Sequence, residues 1–476
     1  MDTLVSGRQT SARPVPSHAP RGHGGRRSLR LWRTAGVAAL WLTSLFVVAL
    51  WVDGGGIQST VQGGAPMLTT LGRITGLVAA NLLLYQVLLM ARVPLFEKAF
   101  GHDALTRGHR LTGFWSFWLM LAHIVLITFG YAGTAQTGFL AQLWQLVVDY
   151  PGMLLAAAGT LLLLGVVGLS IRRARRKMRY ESWHMLHLYA YLGVGLALPH
   201  QLWTGADFLA SPPATWYWWT LWAVAAGCAL VYRVIVPLVR SARHSLRVAE
   251  VVPDGSDGVT VRLTGRNLHR LRVQAGQFFV WRFLDGPGWS RGNPFSISAR
   301  PGADGLSLTA RVVGDGTDRL GRLRPGTRVL IEGPYGHLVG THRQGTKLLM
   351  LGAGAGVAPL VSLLQEQPYA PGAATLVTRD SRPEAALLSE AVAELVRERG
   401  VRHVPLDGPR TSVSSPWLPR LYEQWQGTQL IAHLAPDLAQ YDVYLCGPVP
   451  WMDAVRADLD RLGVAPSRIH SEAFAI

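Results

Sequence analysis

Cysteine is scarce, with two residues in 476, Cys228 and Cys446. One lies in an apolar half and the other in a soluble-looking half, so no disulfide framework is expected. Acids are also few, 29 against 46 Lys and Arg, and the net charge is +17. That balance suggests nucleic acid, but no nucleic-acid module accompanies it, and no partner of that kind is expected. The acids form no calcium loop, so EF-hand control is not expected. Basic residues are missing from three segments, 53–70, 132–151 and 204–214. They concentrate instead in the tail (Arg21, Arg26, Arg27, Arg30, Arg33), after the second apolar run (Arg92, Lys98, Arg107) and in "RRARRKMR" at 172–179.

Long apolar runs fill the first half. Six reach the length needed to cross a hydrocarbon core of roughly 30 Å. They lie near 33–52, 71–91, 110–131, 152–171, 183–203 and 216–238. The charge asymmetry places the N-terminus, both basic loops and the C-terminal half in the cytoplasm of a multi-pass plasma-membrane protein. Residues 1–30, rich in Arg, Pro, Ser and Gly, read as a disordered tail. "GRRSLRLW" has the look of a twin-arginine export signal, but the long apolar run and the five further spans argue against it.

Two of these spans carry histidine pairs: His109 and His123 on the third, His187 and His200 on the fifth. Ionisable groups at membrane depth are costly and often mark a functional site. Fourteen residues are two heptads, which returns a side chain to one face about 21 Å further along a helix. The thirteen-residue interval fits less well, and Pro199 can distort that turn. His184, one turn before His187, competes as the ligand. Two parallel helices with histidines at two matched depths can hold two stacked metal centres, and imidazole on both faces of a flat macrocycle is bis-histidine haem ligation. Satisfied polar packing residues are the plain alternative.

From about Arg243 the pattern becomes strands, turns and amphipathic helices. "SLRVAEVVP", "GVTVRLTG", "GQFFVWRFL", "LSLTARVVG" and "RVLIEGPYG" suit a small antiparallel barrel over 243–342. "KLLMLGAGAGVAP" (347–359) is an apolar strand, a Gly-rich loop and a helix start, the arrangement that cradles a pyrophosphate. An α/β nucleotide-binding domain over 345–476 is therefore expected.

With its histidine pairs on the third and fifth spans, the chain resembles the ferric reductase and NADPH oxidase superfamily. The resemblance implies a six-helix domain over 31–240 with two b-type haems, ligated by His109, His123, His187 and His200. Arg73 matches a position near the outer haem, where it would meet a propionate or the acceptor; a snorkelling arginine is the alternative. "RGNPFSIS" (291–298) resembles the flavin segment of ferredoxin–NADP reductases. There Phe295 would lie on the isoalloxazine and Ser296 near N5, with Pro294, Ile297 and Ser298 beside them. The family carries Arg or His where this chain has Asn293, so Arg291 is the candidate for the FAD phosphates. "RVVGDGT" resembles the next segment, assigning Arg311, Gly314 and Thr317 to the pyrophosphate.

By the same resemblance Gly352, Gly354, Gly356 and Pro359 would hold NAD(P)H, and Cys446, Gly447 and Pro448 would border the nicotinamide. Phe474 would cover the flavin, with Glu472 acting in the same site. Arg379 and Arg382 suit a 2′-phosphate and Asp380 a 2′-hydroxyl, so NADPH is expected and NADH stays open. The implied activity is transmembrane electron transfer from cytoplasmic NAD(P)H through FAD and two haems. The acceptor lies outside: oxygen, a ferric chelate, or a redox partner. A haem-free membrane-anchored flavin reductase and a transporter with a nucleotide-sensing domain are the competing classes.

Overall fold

A computed structural model describes residues 23–171, 180–409 and 415–474 of the chain. The basic loop 172–179 and most of the expected N-terminal tail lie outside those residues. Helix α1, His23–Asp53, starts inside the segment expected to be disordered. Arg and Leu between 26 and 31 favour helix, so the span extends backwards through them.

Among the described residues, five helices are long and apolar enough to cross a membrane: Leu31–Asp53, Gly64–Met90, Ala104–Ala135, Met153–Ser170 and Pro212–His244. We label the full elements α2 (Gly64–Met90), α3 (Pro94–Phe100), α4 (His102–Ala135) and α5 (Met153–Ser170). The expected span 183–203 departs from the sequence reading. It divides into α6 (Tyr180–His187) and α7 (Tyr189–Trp203), each too short to qualify alone. The break falls at Leu188, whose N–H bonds the carbonyls of both His184 and Met185, while Tyr191 N–H bonds Leu188 O. One tightened turn thus separates the pieces, and Leu188 itself keeps helical torsions. The last span comprises α8 (Pro212–Leu230), a π-helical segment at Val231–Ile235 and α9 (Val236–His244).

Glycines set the helix packing. A Cβ on Gly72 or Gly130 of the α2–α4 pair would lie 2.7 Å from Ile127 or 2.3 Å from Thr69. A Cβ on Gly159 of α5 would lie 2.6 Å from Gly193 O of α7. Small residues let the backbones approach this closely where apolar burial supplies no drive.

The strand half begins three residues after α9. Strands β1 (Arg247–Asp254), β2 (Gly258–Thr264) and β5 (Leu306–Arg311) form one antiparallel sheet. Strands β4 (Asn293–Ser296), β3 (Phe278–Phe283) and β6 (Val329–Tyr335) form another. They fall where period-two alternation places them. The expected single barrel is instead two three-stranded sheets, joined at their edges by isolated bridges, Arg247 to Arg328 and Ile297 to Leu308. Phe279, Trp281, Ile297 and Leu308 fill the space between them, each fully buried.

A five-stranded parallel sheet follows, in the order β11 (Ile469–Phe474), β10 (Tyr441–Pro448), β7 (Lys347–Ala353), β8 (Ala374–Asp380), β9 (Arg402–Asp407). It is covered on both faces, which is why β7, β8 and β10 are nearly continuous apolar runs. Strand order reverses between β7 and β10, and ligands of such sheets bind at the carboxyl ends flanking that switch.

Candidate functional site

Helix α4 carries both His109 and His123 without interruption. His109 Nδ1 lies 3.3 Å from Gln86 O, and His123 Nδ1 lies 2.8 Å from Gly72 O. Both carbonyls belong to α2, and Gln86 and Gly72 are separated by fourteen residues, as are the two histidines. The antiparallel pair α2–α4 therefore repeats one contact at two depths. A histidine whose Nδ1 is tied to a backbone carbonyl presents Nε2 as its ligand nitrogen, the usual outer support of a metal-bound imidazole.

Across the bundle, His187 faces His109 with ring centroids 6.0 Å apart and planes at 68°. Ser170 Oγ lies 3.3 Å from His187 Nδ1, and Trp183 lies against the same ring at 5.0 Å. His184 sits within electrostatic reach of Arg233, Arg282 and Glu332 as well as of His187. It is His187 that meets His109. His200 lies within electrostatic reach of His123. Its Nδ1 is buried and makes no hydrogen bond of ordinary geometry, although Ala197 O is near. The four histidines are thus brought together as two cross-helix pairs, and the Nδ1 atoms of His109, His123 and His187, each beside an oxygen, would suit imidazoles holding a flat iron macrocycle. Gly72, Gly76, Gln86, Ser170 and Trp183 belong to this arrangement, and the sequence reading missed them. The Gly-x-x-x-Gly of Gly72 and Gly76 was the available signal.

Arg73 adjoins Gly72, at the level of the His123 pair. Its guanidinium is bidentate on Asp207, with Nε 2.9 Å from Oδ2. The pair lines a cavity of about 270 Å³ with Asp53, Gly54 and Ser211. The arginine is ion-paired, which separates it from a simple snorkelling residue.

In the strand half, Phe295 and Ser296 lie on β4, paired with Phe279 and Phe278 of β3. Trp281 Nε1 donates to Phe295 O at 2.9 Å. Ser296, Ile297 and Ser298 are buried, Asn293 is half-buried, and Arg291 and Pro294 are exposed. Ser298 Oγ donates to Ser307 Oγ at 3.1 Å. Thr317 Oγ1 accepts from Val313 N–H at 2.9 Å and Gly314 N–H at 3.2 Å. The amides expected at a pyrophosphate are here engaged by their own loop. Arg311 donates to Asp380 Oδ1 at 2.7 Å and to Ala385 O, joining the two halves of the reductase module. Burial raises the Asp380 carboxyl above its ordinary range, with Arg311 opposing that shift.

At the switch point, Gly352 is the last residue but one of β7, and Gly354, with φ +55°, turns the chain into α10 (Val357–Glu366), where Pro359 lies buried in the first turn. Cys446 of β10 pairs with Gly352 on one side and Glu472 of β11 on the other. Parallel strands lie about 4.8 Å apart, so the three form a row across the sheet ends. Burial pushes the Cys446 thiol well above its ordinary value, and Glu472 adds to the shift, keeping the group protonated. Glu472 Oε2 accepts from Leu338 N–H at 3.3 Å. Gly447 and Pro448 pair with Ala473 and Phe474; the side chain of Phe474 lies outside the described residues.

Arg379 and Arg382 diverge. Arg379 is 8% exposed and its Nη1 bonds the carbonyls of Asp380 and Leu406, whereas Arg382 is exposed. Of the two arginines expected at a 2′-phosphate, the structure leaves Arg382 exposed and buries Arg379, because both faces of β8 are covered. Arg382→Ala is expected to weaken NADPH binding about ten-fold with little effect on NADH. Arg379→Ala is expected to lower stability by about 1–3 kcal/mol without changing that ratio. Paired titrations with the two nucleotides and a thermal melt check both.

Residues 75–198 match a family model described as "Ferric reductase like transmembrane component". The ferredoxin reductase component of 3-ketosteroid-9-alpha-monooxygenase from Mycobacterium tuberculosis is 28% identical over 231 residues, covering 47% of this chain and 59% of that protein. The respiratory burst oxidase homolog protein F of Arabidopsis thaliana is 26% identical over 211 residues, covering 39% of this chain and 21% of that protein. A ferredoxin NADP+ reductase from Neisseria gonorrhoeae, solved with bound FAD and NADP, aligns at a TM-score of 0.41 and 22% identity, covering 48% of this chain and 98% of that one. The chain thus spans less than two thirds of the length of the curated relatives it matches.

These matches define the class: a membrane protein of the oxidoreductases, with a ferric reductase-like transmembrane component. The chain thus pairs similarity to a ferric reductase-like transmembrane component with similarity to ferredoxin reductase components and to a respiratory burst oxidase.

Proposed function

We propose that the chain is a plasma-membrane oxidoreductase carrying electrons from cytoplasmic NAD(P)H to an acceptor outside. Six crossings are proposed over 31–240, with α6 and α7 together forming the fifth. A flavin domain over 243–342 and a nucleotide domain over 345–476 follow, with both termini cytoplasmic. The facing of His109 and His187 across 6.0 Å, with each Nδ1 beside an oxygen, carries this reading.

When bound, FAD exchanges a hydride for single electrons, and two b-type haems pass those electrons across the bilayer. His109 with His187, and His123 with His200, would hold the two irons. Gly72 O and Gln86 O fix the imidazole orientations. The Gly352–Gly356 turn and the α10 N-terminus receive the dinucleotide phosphates. Arg382 meets the ribose phosphate of NADPH. Arg291, Asn293, Pro294, Ile297, Ser298, Arg311, Gly314 and Thr317 surround the FAD, with Phe295 and Ser296 against its ring. Cys446 and Glu472 close the nicotinamide side beneath Phe474. With His123 and His200 both committed to the outer iron, the acceptor would take its electron without binding that metal.

Oxygen, yielding superoxide, is the acceptor we favour, on the similarity to respiratory burst oxidase homologs. Asp207→Ala separates this from ferric-chelate reduction. Removing one negative charge beside the outer cavity should raise the rate with ferric citrate several-fold and leave oxygen consumption within about two-fold.

Absorption spectra of the haem-replete protein in detergent, before and after anaerobic NADPH, test the proposal. A low-spin spectrum reduced by NADPH is expected, with half the haem lost in His187→Ala. Flavin bleaching with no haem in the wild type would sink it.

A further inference from the structure

Glu332 is 3% exposed, on β6 of the flavin half, and its carboxylate meets partners from both halves of the chain. Its carboxylate accepts from Arg233 Nη1 at 2.9 Å, from both Arg282 Nη atoms at 3.3 Å and from Tyr335 O–H at 3.2 Å. Arg282 and Tyr335 belong to the flavin half itself. Arg233 comes from the π-helical segment that continues the last membrane span. Such segments are rare and recur at functional places.

The neighbouring contacts share one geometry. Arg240 donates to Gly333 O, Ser241 Oγ donates to Ile331 O at 3.2 Å, and Ile331 N–H returns to Ser241 Oγ at 2.9 Å. Residues 233, 240 and 241 lie at i, i+7 and i+8, on one helical face. They hold three successive residues of β6. On the other side, Arg92 stacks on Tyr335 at 4.3 Å and bonds Glu97, whose backbone carbonyl meets His337. Glu332, Arg233 and Arg282 are all within electrostatic reach of His184, one turn from the His187 that faces His109.

We propose that Glu332 is a positioning residue that docks the flavin half onto the cytoplasmic ends of the membrane helices, beside the inner histidine pair. The proposal rests on the electron relay above. The step it governs moves one electron from NAD(P)H-reduced flavin to the inner haem and needs no further reactant. A carboxylate shared by two guanidiniums suits the task. It is costly to unpair, so the two halves keep one separation.

Glu332→Gln and Arg233→Gln are the variants to make, with Glu332→Asp as the charge-retaining comparison. Two readouts are taken. In protein without added cofactors, hydrogen exchange over 328–337 and 231–243 should rise in both Gln variants, with the parallel sheet unaffected. In holoenzyme under anaerobic stopped flow, NADPH should bleach flavin at the wild-type rate while haem reduction slows between about ten- and a hundred-fold. Glu332→Asp should fall between. Wild-type exchange and wild-type haem reduction in both Gln variants would overturn the proposal, as would equal slowing of flavin bleaching, which marks general damage. A wild-type protein that binds no haem refutes the relay instead, and hydrogen exchange still decides the docking.

Discussion

Replacing Gly76 by valine is expected to remove one haem of two, and only the outer one. Gly76 lies on α2 directly against the His123 ring: a Cβ there would sit 2.5 Å from Nδ1 and 2.8 Å from Cε1. The ring cannot retreat without breaking its 2.8 Å bond to Gly72 O, because both partners belong to the same two helices. The branched side chain of valine therefore pushes His123 away from His200. The inner pair sits fourteen residues further along, held at Gln86 O, and should survive. Extracted haem per polypeptide should fall from about two to one, and a potentiometric titration should lose one of its two steps. Gly195→Ala on α7 is the control, since nothing lies within 4 Å of where its Cβ would stand. It should keep both haems and gain up to about 1 kcal/mol from helix propensity. Two haems retained in Gly76→Val would refute the outer-pair assignment.

The histidines were legible because their intervals, fourteen residues on one span and thirteen on the other, are properties of the chain alone. Their supports were not. Gly72 O and Gln86 O are backbone carbonyls, which every residue type carries, so no side-chain pattern announces them. The tight turn at Leu188 was hidden for a related reason. A single shifted hydrogen bond leaves apolar composition unchanged, and the run 183–203 reads as one span though the helix divides there. Pro199, the residue that seemed the natural place for distortion, stays inside α7.

In the soluble half, alternation marked the antiparallel strands because each sheet has one buried face. Between Arg379 and Arg382 it could not distinguish, since β8 is buried on both faces and nothing in "VTRDSR" says which side chain stays exposed. The Glu332 hub was also invisible. Its partners Arg233 and Arg282 are 99 and 50 residues away, and a lone acid in "RVLIEGPYG" carries no sign of what will meet it.

Gly356→Val is expected to abolish reduction by NAD(P)H while sparing both flavin and haem. The glycine pattern after β7 is usually read as room for a phosphate, but here it has a second cause. A Cβ on Gly356 would lie 2.1 Å from Cys446 O, 2.6 Å from the same carbonyl carbon and 3.0 Å from Gly447 N. All three are backbone atoms of the strand that borders the proposed nicotinamide site, so no side-chain rotation can relieve the clash. Either the Gly-rich turn or the Cys446–Gly447 peptide must move, and both line the same crevice. A displacement on the order of 1 Å at such a site costs about a hundred-fold in rate. Flavin bleaching by NADPH should therefore slow by at least that factor, while dithionite still reduces both haems to the wild-type extent. Gly321→Ala, with nothing within 4 Å of its Cβ position, should behave as wild type. If Gly356→Val still bleached flavin at the normal rate, the dinucleotide would have to bind away from the β7–β10 switch point, and the roles given to Gly352, Cys446 and Glu472 would fall together.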